Sequence, residues 1–223
     1  MIDSLRHAKV FNPDKFTSRV DVIGVGATGS RIAVSLAKLG VTDIHIWDDD
    51  VIAEHNIANQ VFGNPDIGKK KVVALKDLIS LQTGTEVTVH DCKADGKSVF
   101  GDYVFLLTDT MASRKEIFTG AIKLKLSIRF MFETRMGADT GRIYTVCPIR
   151  PSHVRRWEET LCSDDDAEES LCGARTSVGP TAEVISGFAV WQFIRAVAND
   201  PKDVPEGEVI FGLRPFAILS AAF

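Results

Sequence analysis

The chain has 223 residues, with 26 Lys plus Arg set against 30 Asp plus Glu, for a formal net charge of −4. That balance gives no footing for a nucleic-acid groove, because Lys69-Lys70-Lys71 is too short a basic run. No apolar run approaches the length of a membrane span and no signal peptide is visible; Cys92, Cys147, Cys162 and Cys172 lack CxxC spacing. The expectation is a reduced, cytoplasmic protein with a sizeable core and no nucleic-acid or membrane partner.

In chain order, Val20, Val22, Ile23 and Val25 read as a buried parallel strand, and Ile32, Ala33, Leu36, Ala37 and Leu39 fall at helical spacing after Gly29. Ile44 to Trp47 reads as a strand, Lys69 to Leu81 as a helix, Glu86 to His90 as a strand, and Tyr103 to Leu107 as a buried strand ending at Thr108-Asp109. A further helix starts near Ala112. This alternation predicts an α/β fold, a Rossmann-like doubly wound and mainly parallel sheet. From Lys125 the pattern changes: Leu126 to Glu133 and Arg142 to Val146 read as a strand pair joined through Gly137 and Gly141, extending the sheet with antiparallel strands. Between Pro148 and Cys172 there is little apolar periodicity, and Ser163 to Ser170 is an acidic run expected to be a solvated, mobile loop. Val184 to Val197 reads as an apolar helix and Glu208 to Leu213 as a strand. The expected organisation is one domain, 1–223, with a nucleotide-binding half (1–124), a partner-binding and dimerisation half (125–223), and a crossover loop at 150–175.

Three places suggest chemistry. In Gly24-Val25-Gly26-Ala27-Thr28-Gly29, Gly24 and Gly26 permit a tight turn, and Gly29 lets the helix lie close to the strand with its N-terminus open to an anion. Asp48 follows at about the distance where an acid reaches a ribose hydroxyl. Lys71 opens a helix, where a lysine opposes the dipole unless an anion also sits there; a phosphate would supply that anion, and a solvated lysine is the plain alternative. Asp109 ends an apolar strand at the expected crevice, where a carboxylate is costly to bury without a cation or donors and Mg²⁺ would satisfy it; the alternative is a helix N-cap or a partner for Arg114.

Together these positions resemble the ThiF/MoeB/HesA and ubiquitin-activating family of adenylating proteins. The motifs carrying the resemblance are the Gly loop, Asp48-Asp49-Asp50 leading to Asn56-Ile57-Ala58-Asn59-Gln60, Ile67-Gly68-Lys69-Lys70-Lys71, and Asp109-Thr110-Met111-Ala112-Ser113-Arg114. The resemblance implies ATP on the Gly loop, Asp48 on the ribose, Lys71 with the Asn56 to Gln60 segment on the phosphates, and Asp109 on Mg²⁺. Asp50, Ala27 and Thr110 complete the expected nucleotide site. It implies adenylation of the C-terminal glycine of a ubiquitin-like or sulfur-carrier protein, a homodimer, and a compact bacterial or phage-type member. Cys172 stands roughly where the ThiF branch has a reactive cysteine, so transfer to it is one expectation; a small residue that only packs ahead of the apolar helix is the alternative. The sequence departs from the family pattern at Ala27, at Asn59, where the family has arginine, and at Thr110, where it has asparagine. The family's paired CxxC motifs are absent, so no structural zinc is expected. Two other readings stay open: a non-catalytic nucleotide-binding module, and an NAD-dependent oxidoreductase using the same loop.

Overall fold

A computed structural model describes residues 6–163, 177–198 and 200–223. One eight-stranded sheet runs in the order β3-β2-β1-β4-β5-β6-β7-β8, where β1 is Val20–Ile23, β2 Ile44–Trp47, β3 Thr88–His90, β4 Tyr103–Leu106, β5 Phe130–Met136, β6 Thr140–Val146, β7 Glu208–Leu213 and β8 Phe216–Ala221. Strands β3, β2, β1, β4 and β5 are parallel, and β5 to β8 pair antiparallel. Alternation along β1 divides the core. Val20 and Val22 face a cluster with Ile32 and Leu36 of α1 (Ala27–Leu39), Val72, Leu75 and Ile79 of α2 (Lys71–Thr83), and Ile185 and Phe193 of α5 (Gly179–Ala198). Ile23 joins the opposite cluster with Val104, Leu106, Phe118, Ile122 and Trp157. That second layer is built by α3 (Met111–Ile117), its π-helical continuation Phe118–Ile122, and α4 (Pro151–Glu158).

The doubly wound, mainly parallel sheet with antiparallel strands in the second half is as read from the sequence. The differences are local. The first strand of the hairpin is Phe130–Met136 rather than 126–133, and Leu126 is 87 % exposed, so the apolar run there was misleading. Gly141 lies inside β6 rather than in the turn, because an added Cβ would sit 2.3 Å from the Phe211 ring on β7: the glycine makes room for an aromatic. Part of the expected crossover loop is helix α4, which presents His153, Val154 and Trp157 to the core with few other apolar residues to signal it. Helix α5 begins at Gly179, ahead of the apolar run that announces it. Strand β8 carries mostly exposed side chains at the sheet edge, and its pairing partner is β7. The acidic run from Asp164 and Cys172 lie outside the described residues.

Candidate functional site

The carboxyl ends of β1, β2 and β4 meet at one crevice, drawn together by Gly24 N donating to Trp47 O (2.8 Å) and Leu107 N to Ile23 O (2.8 Å). Gly24 has φ +87°, and a Cβ on Gly29 would lie 1.9 Å from the Gly24 carbonyl oxygen, so helix α1 rests directly on the turn before it. Gly26 differs: it has φ −74°, and an added Cβ would meet nothing within 4 Å. No neighbour in the fold demands glycine at 26; its missing side chain leaves open space before the α1 N-terminus, whose free N–H groups and dipole suit an anion. Ala27 is the first residue of α1.

Asp48 sits beneath this loop. Its Oδ2 accepts from Val25 N (2.8 Å) and its Oδ1 from Asp50 N (2.9 Å), with the side chain 10 % exposed. Burial pushes its carboxyl above the ordinary value, opposed by Lys71 and by the two backbone donors. Lys71 opens α2 with its side chain 8 % exposed, Nζ 2.6 Å from Asp50 Oδ2 and 4.0 Å from Asp48 Oδ1. The solvated-lysine alternative is therefore overturned. The anion that offsets the unfavourable helix dipole is, in this state, Asp50. Lys69 and Lys70 pair separately with Asp66 and Asp91, so the three lysines do not form one patch.

The Asn56 to Gln60 segment is a compact turn. Asn56 is buried, its Oδ1 accepts from Ala53 N (2.9 Å), and its carbonyl accepts from Asn59 N and Gln60 N. Asn59 Oδ1 and Gln60 Oε1 are buried without partners. The segment is clamped by Arg31, whose Nη1 donates to Asn59 O (2.5 Å) and to Ala27 O (2.9 Å). Arg31 is the one charged residue in the first two turns of α1, and nothing in its spacing marks it out. Arg19 precedes β1 at the end away from the crevice and bonds Asp21 (2.6 Å), so it does not stand in for the arginine missing at 59.

Asp109 is exposed rather than buried, so the desolvation argument for a cation there does not hold. Both alternatives fail as well: Thr110 is the N-cap of α3, its hydroxyl accepting from Ser113 N (3.2 Å), and Arg114 is committed to Glu133. Among the described residues no ion pair involves Asp109. A single exposed carboxylate at a strand end suits Mg²⁺, which keeps several waters and takes one or two carboxylates together with phosphate oxygens. The remaining ligands would be supplied by nucleotide and water.

A charged cluster beside this loop is not marked by any motif in the sequence. Glu133, wholly buried on β5, accepts from Arg114 Nη1, from Arg135 Nε (2.7 Å) and Nη2 (3.0 Å), and from Trp157 Nε1 (2.6 Å). Burial opposes its ionisation most strongly, yet Arg114, Arg135 and Trp157 together hold its carboxyl below the usual range. A glutamate and an arginine inside the apolar run Phe130-Met131-Phe132-Glu133-Thr134-Arg135 were the available signal.

The model of the ThiF family matches residues 13–216. The chain belongs to the ThiF family. It is 26 % identical over 203 residues to the sulfur carrier protein ThiS adenylyltransferase of Escherichia coli K12, covering 86 % of this chain and 76 % of that protein. It is 30 % identical over 122 residues to ubiquitin-like modifier-activating enzyme 5 of Caenorhabditis elegans, covering 54 % of this chain and 28 % of that enzyme. Among solved structures it resembles E. coli MccB with ATP (TM-score 0.69, 15 % identity, 94 % of this chain and 65 % of that one) and PaaA (TM-score 0.68, 19 % identity, 92 % and 64 %). The chain thus spans just under two thirds of these structural neighbours. Its homologues are adenylating and activating enzymes, and no helix among the described residues is long and apolar enough to cross a membrane.

Proposed function

We propose that this ThiF-family chain adenylates the C-terminal carboxylate of a ubiquitin-like or sulfur-carrier protein ending in glycine. The observation that carries the reading is the convergence at one crevice of an open helix N-terminus at Gly26, a buried Asp48 and a buried Lys71. An oxidoreductase would use the first two but has no need of a desolvated lysine at the phosphate end.

In the proposed reaction a substrate carboxylate oxygen bonds to the α-phosphorus of ATP while the bond to the bridging oxygen of the β-phosphate breaks. The products are an acyl-adenylate and pyrophosphate, with no net proton transferred. The α1 N-terminus, with Gly24, Gly26, Ala27 and Gly29, would receive the phosphates; Asp48 would hold the ribose hydroxyls. Lys71 would exchange its exposed partner Asp50 for phosphate oxygens, and Asn56, Asn59 and Gln60 would offer side-chain amides. Mg²⁺ bound at Asp109 would neutralise phosphate charge. Thr110 would keep Asp109 at the mouth by capping α3. A homodimer and onward transfer to Cys172 are parts of the same proposal.

The test is to incubate the protein with Mg-ATP and a small protein ending in Gly-Gly, then the same protein as its C-terminal amide. AMP-linked product and pyrophosphate with the free acid alone support the reading. Equal turnover with the amide, or none with any glycine-ending partner, contradicts it.

A further inference from the structure

The Asp109 side chain has no ion pair among the described residues, so its place is inherited from the residue before it. Thr108 is fixed twice, its carbonyl accepting from Arg114 Nε (2.7 Å) and its hydroxyl from Ser113 Oγ (2.6 Å). Arg114 in turn donates Nη1 to Glu133, which lies on β5 opposite Leu106 in the sheet register. One arginine thus spans from a buried carboxylate to the loop that carries Asp109. The same carboxylate holds Arg135, whose Nη1 and Nη2 donate to Thr160 O (2.6 Å) and Thr160 Oγ1 (2.9 Å) beyond helix α4, and it receives Trp157 from that helix.

We infer that Glu133 is a positioning residue: through Arg114 it sets the Thr108–Asp109 loop in the geometry that receives a magnesium-bound nucleotide, and through Arg135 it ties that loop to the segment following α4. This rests on the adenylation reading for its ligand, but the linkage is a property of the fold itself. Two desolvated guanidinium groups cannot be held side by side without a carboxylate between them. Removing that charge while keeping its shape leaves Arg114 repelled by Arg135, and the bond from Arg114 to the Thr108 carbonyl is what can give way. A carboxylate that served stability alone would have no reason to act on Asp109 selectively.

The experiment uses Glu133→Gln with Trp157→Phe as a comparison, since the latter removes one donor to Glu133 without touching either arginine. Two quantities are read: amide hydrogen exchange across residues 107–113 in the nucleotide-free protein, and the affinity for ATP with and without magnesium by calorimetry. Glu133→Gln is expected to speed exchange across 107–113 by about tenfold or more, the scale of losing one charged hydrogen bond. It should also erase the gain in ATP affinity that magnesium gives, while magnesium-free affinity stays within about twofold. Trp157→Phe should leave both readouts as in the wild type. The inference is overturned if exchange in this loop is unchanged in Glu133→Gln, or if Trp157→Phe alters it equally. Should Glu133→Gln fail to fold, Arg114→Lys cuts the same link to Thr108 and is held to the same outcomes. A wild type that binds no ATP would refute the adenylation reading, while hydrogen exchange would still decide the linkage.

Discussion

Replacing Lys71 by alanine removes the cation lying 2.6 Å from Asp50 and 4.0 Å from Asp48. The two contacts differ in weight. Asp50 is 62 % exposed, so water screens that pair to below about 1 kcal/mol. Asp48 and Lys71 are 10 % and 8 % exposed, and at an effective dielectric near 20 a separation of 4.0 Å corresponds to about 4 kcal/mol of Coulomb energy. Proton uptake by Asp48 caps the loss, so about 1–2 kcal/mol is a reasonable net figure. The pH dependence has a definite sign. An acid whose carboxyl is raised in the fold is stabilising in its neutral form, fully so below its unfolded value of 3.8, and that contribution is lost as pH rises through the folded value. Without Lys71 the Asp48 carboxyl is raised further, so the deficit of Lys71→Ala against the wild type should be small near pH 4 and fully developed at pH 8. At about 2–4 °C per kcal/mol for a chain of this length, the melting temperature at pH 8 should fall by roughly 2–8 °C. Scanning calorimetry at the two pH values measures it. An equal deficit at both would refute the coupling of Lys71 to Asp48.

Three further outcomes follow from the same geometry. Gly26→Ala should leave the melting temperature within about 1 °C and lower ATP affinity about tenfold or more, because its Cβ enters space open to ligand, whereas Gly29→Ala should unfold the nucleotide loop by driving Cβ into the Gly24 carbonyl; matched effects in thermal melts would contradict this. His45 and His90, bonded Nδ1 to Nε2 at 2.9 Å, both have depressed basicity, caused first by burial and then by neighbouring positive charge. Their folded forms take up protons later than the unfolded chain, so stability should hold above pH 6.5 and decline below it, by at most about 1.4 kcal/mol per pH unit for each; urea titrations of the wild type and of a His45→Gln/His90→Gln variant test this, the variant showing a flatter decline. Asp109→Asn should leave stability unchanged, since the side chain is exposed, and should abolish the magnesium-dependent part of ATP affinity; a magnesium gain equal to the wild type in calorimetry would remove Asp109 from metal binding.

The parallel half was legible because its signals are local. A strand, a turn that only glycine fits and a helix of period 3.6 follow one another between Val20 and Leu39, and each agrees with its neighbours. What could not be read depends on partners far along the chain. Gly141 serves Phe211, seventy positions on, and β8 has no buried side chain to mark it. In the candidate site, the Gly loop, Asp48 and Lys71 were visible as motifs, but that Lys71 is buried against Asp50 required the β2 and α2 ends to be placed together. Asp109 carried the opposite error: an apolar strand before it suggested burial, yet the carboxylate lies past the strand end. Arg31, Glu133 and Trp157 act through neighbours remote in sequence, where spacing gives no guide.

A crevice that activates a carboxylate at the α-phosphorus of ATP also runs the reaction backward, returning pyrophosphate to ATP. The most direct measurement is exchange of isotopically labelled pyrophosphate into ATP in the presence of a glycine-ending carrier protein, comparing wild type with Lys71→Ala. Carrier-dependent exchange in the wild type, reduced about tenfold or more in Lys71→Ala, is the expected result. Carrier-dependent exchange that survives unchanged in Lys71→Ala, or ATP binding with no exchange for any such carrier, would contradict it.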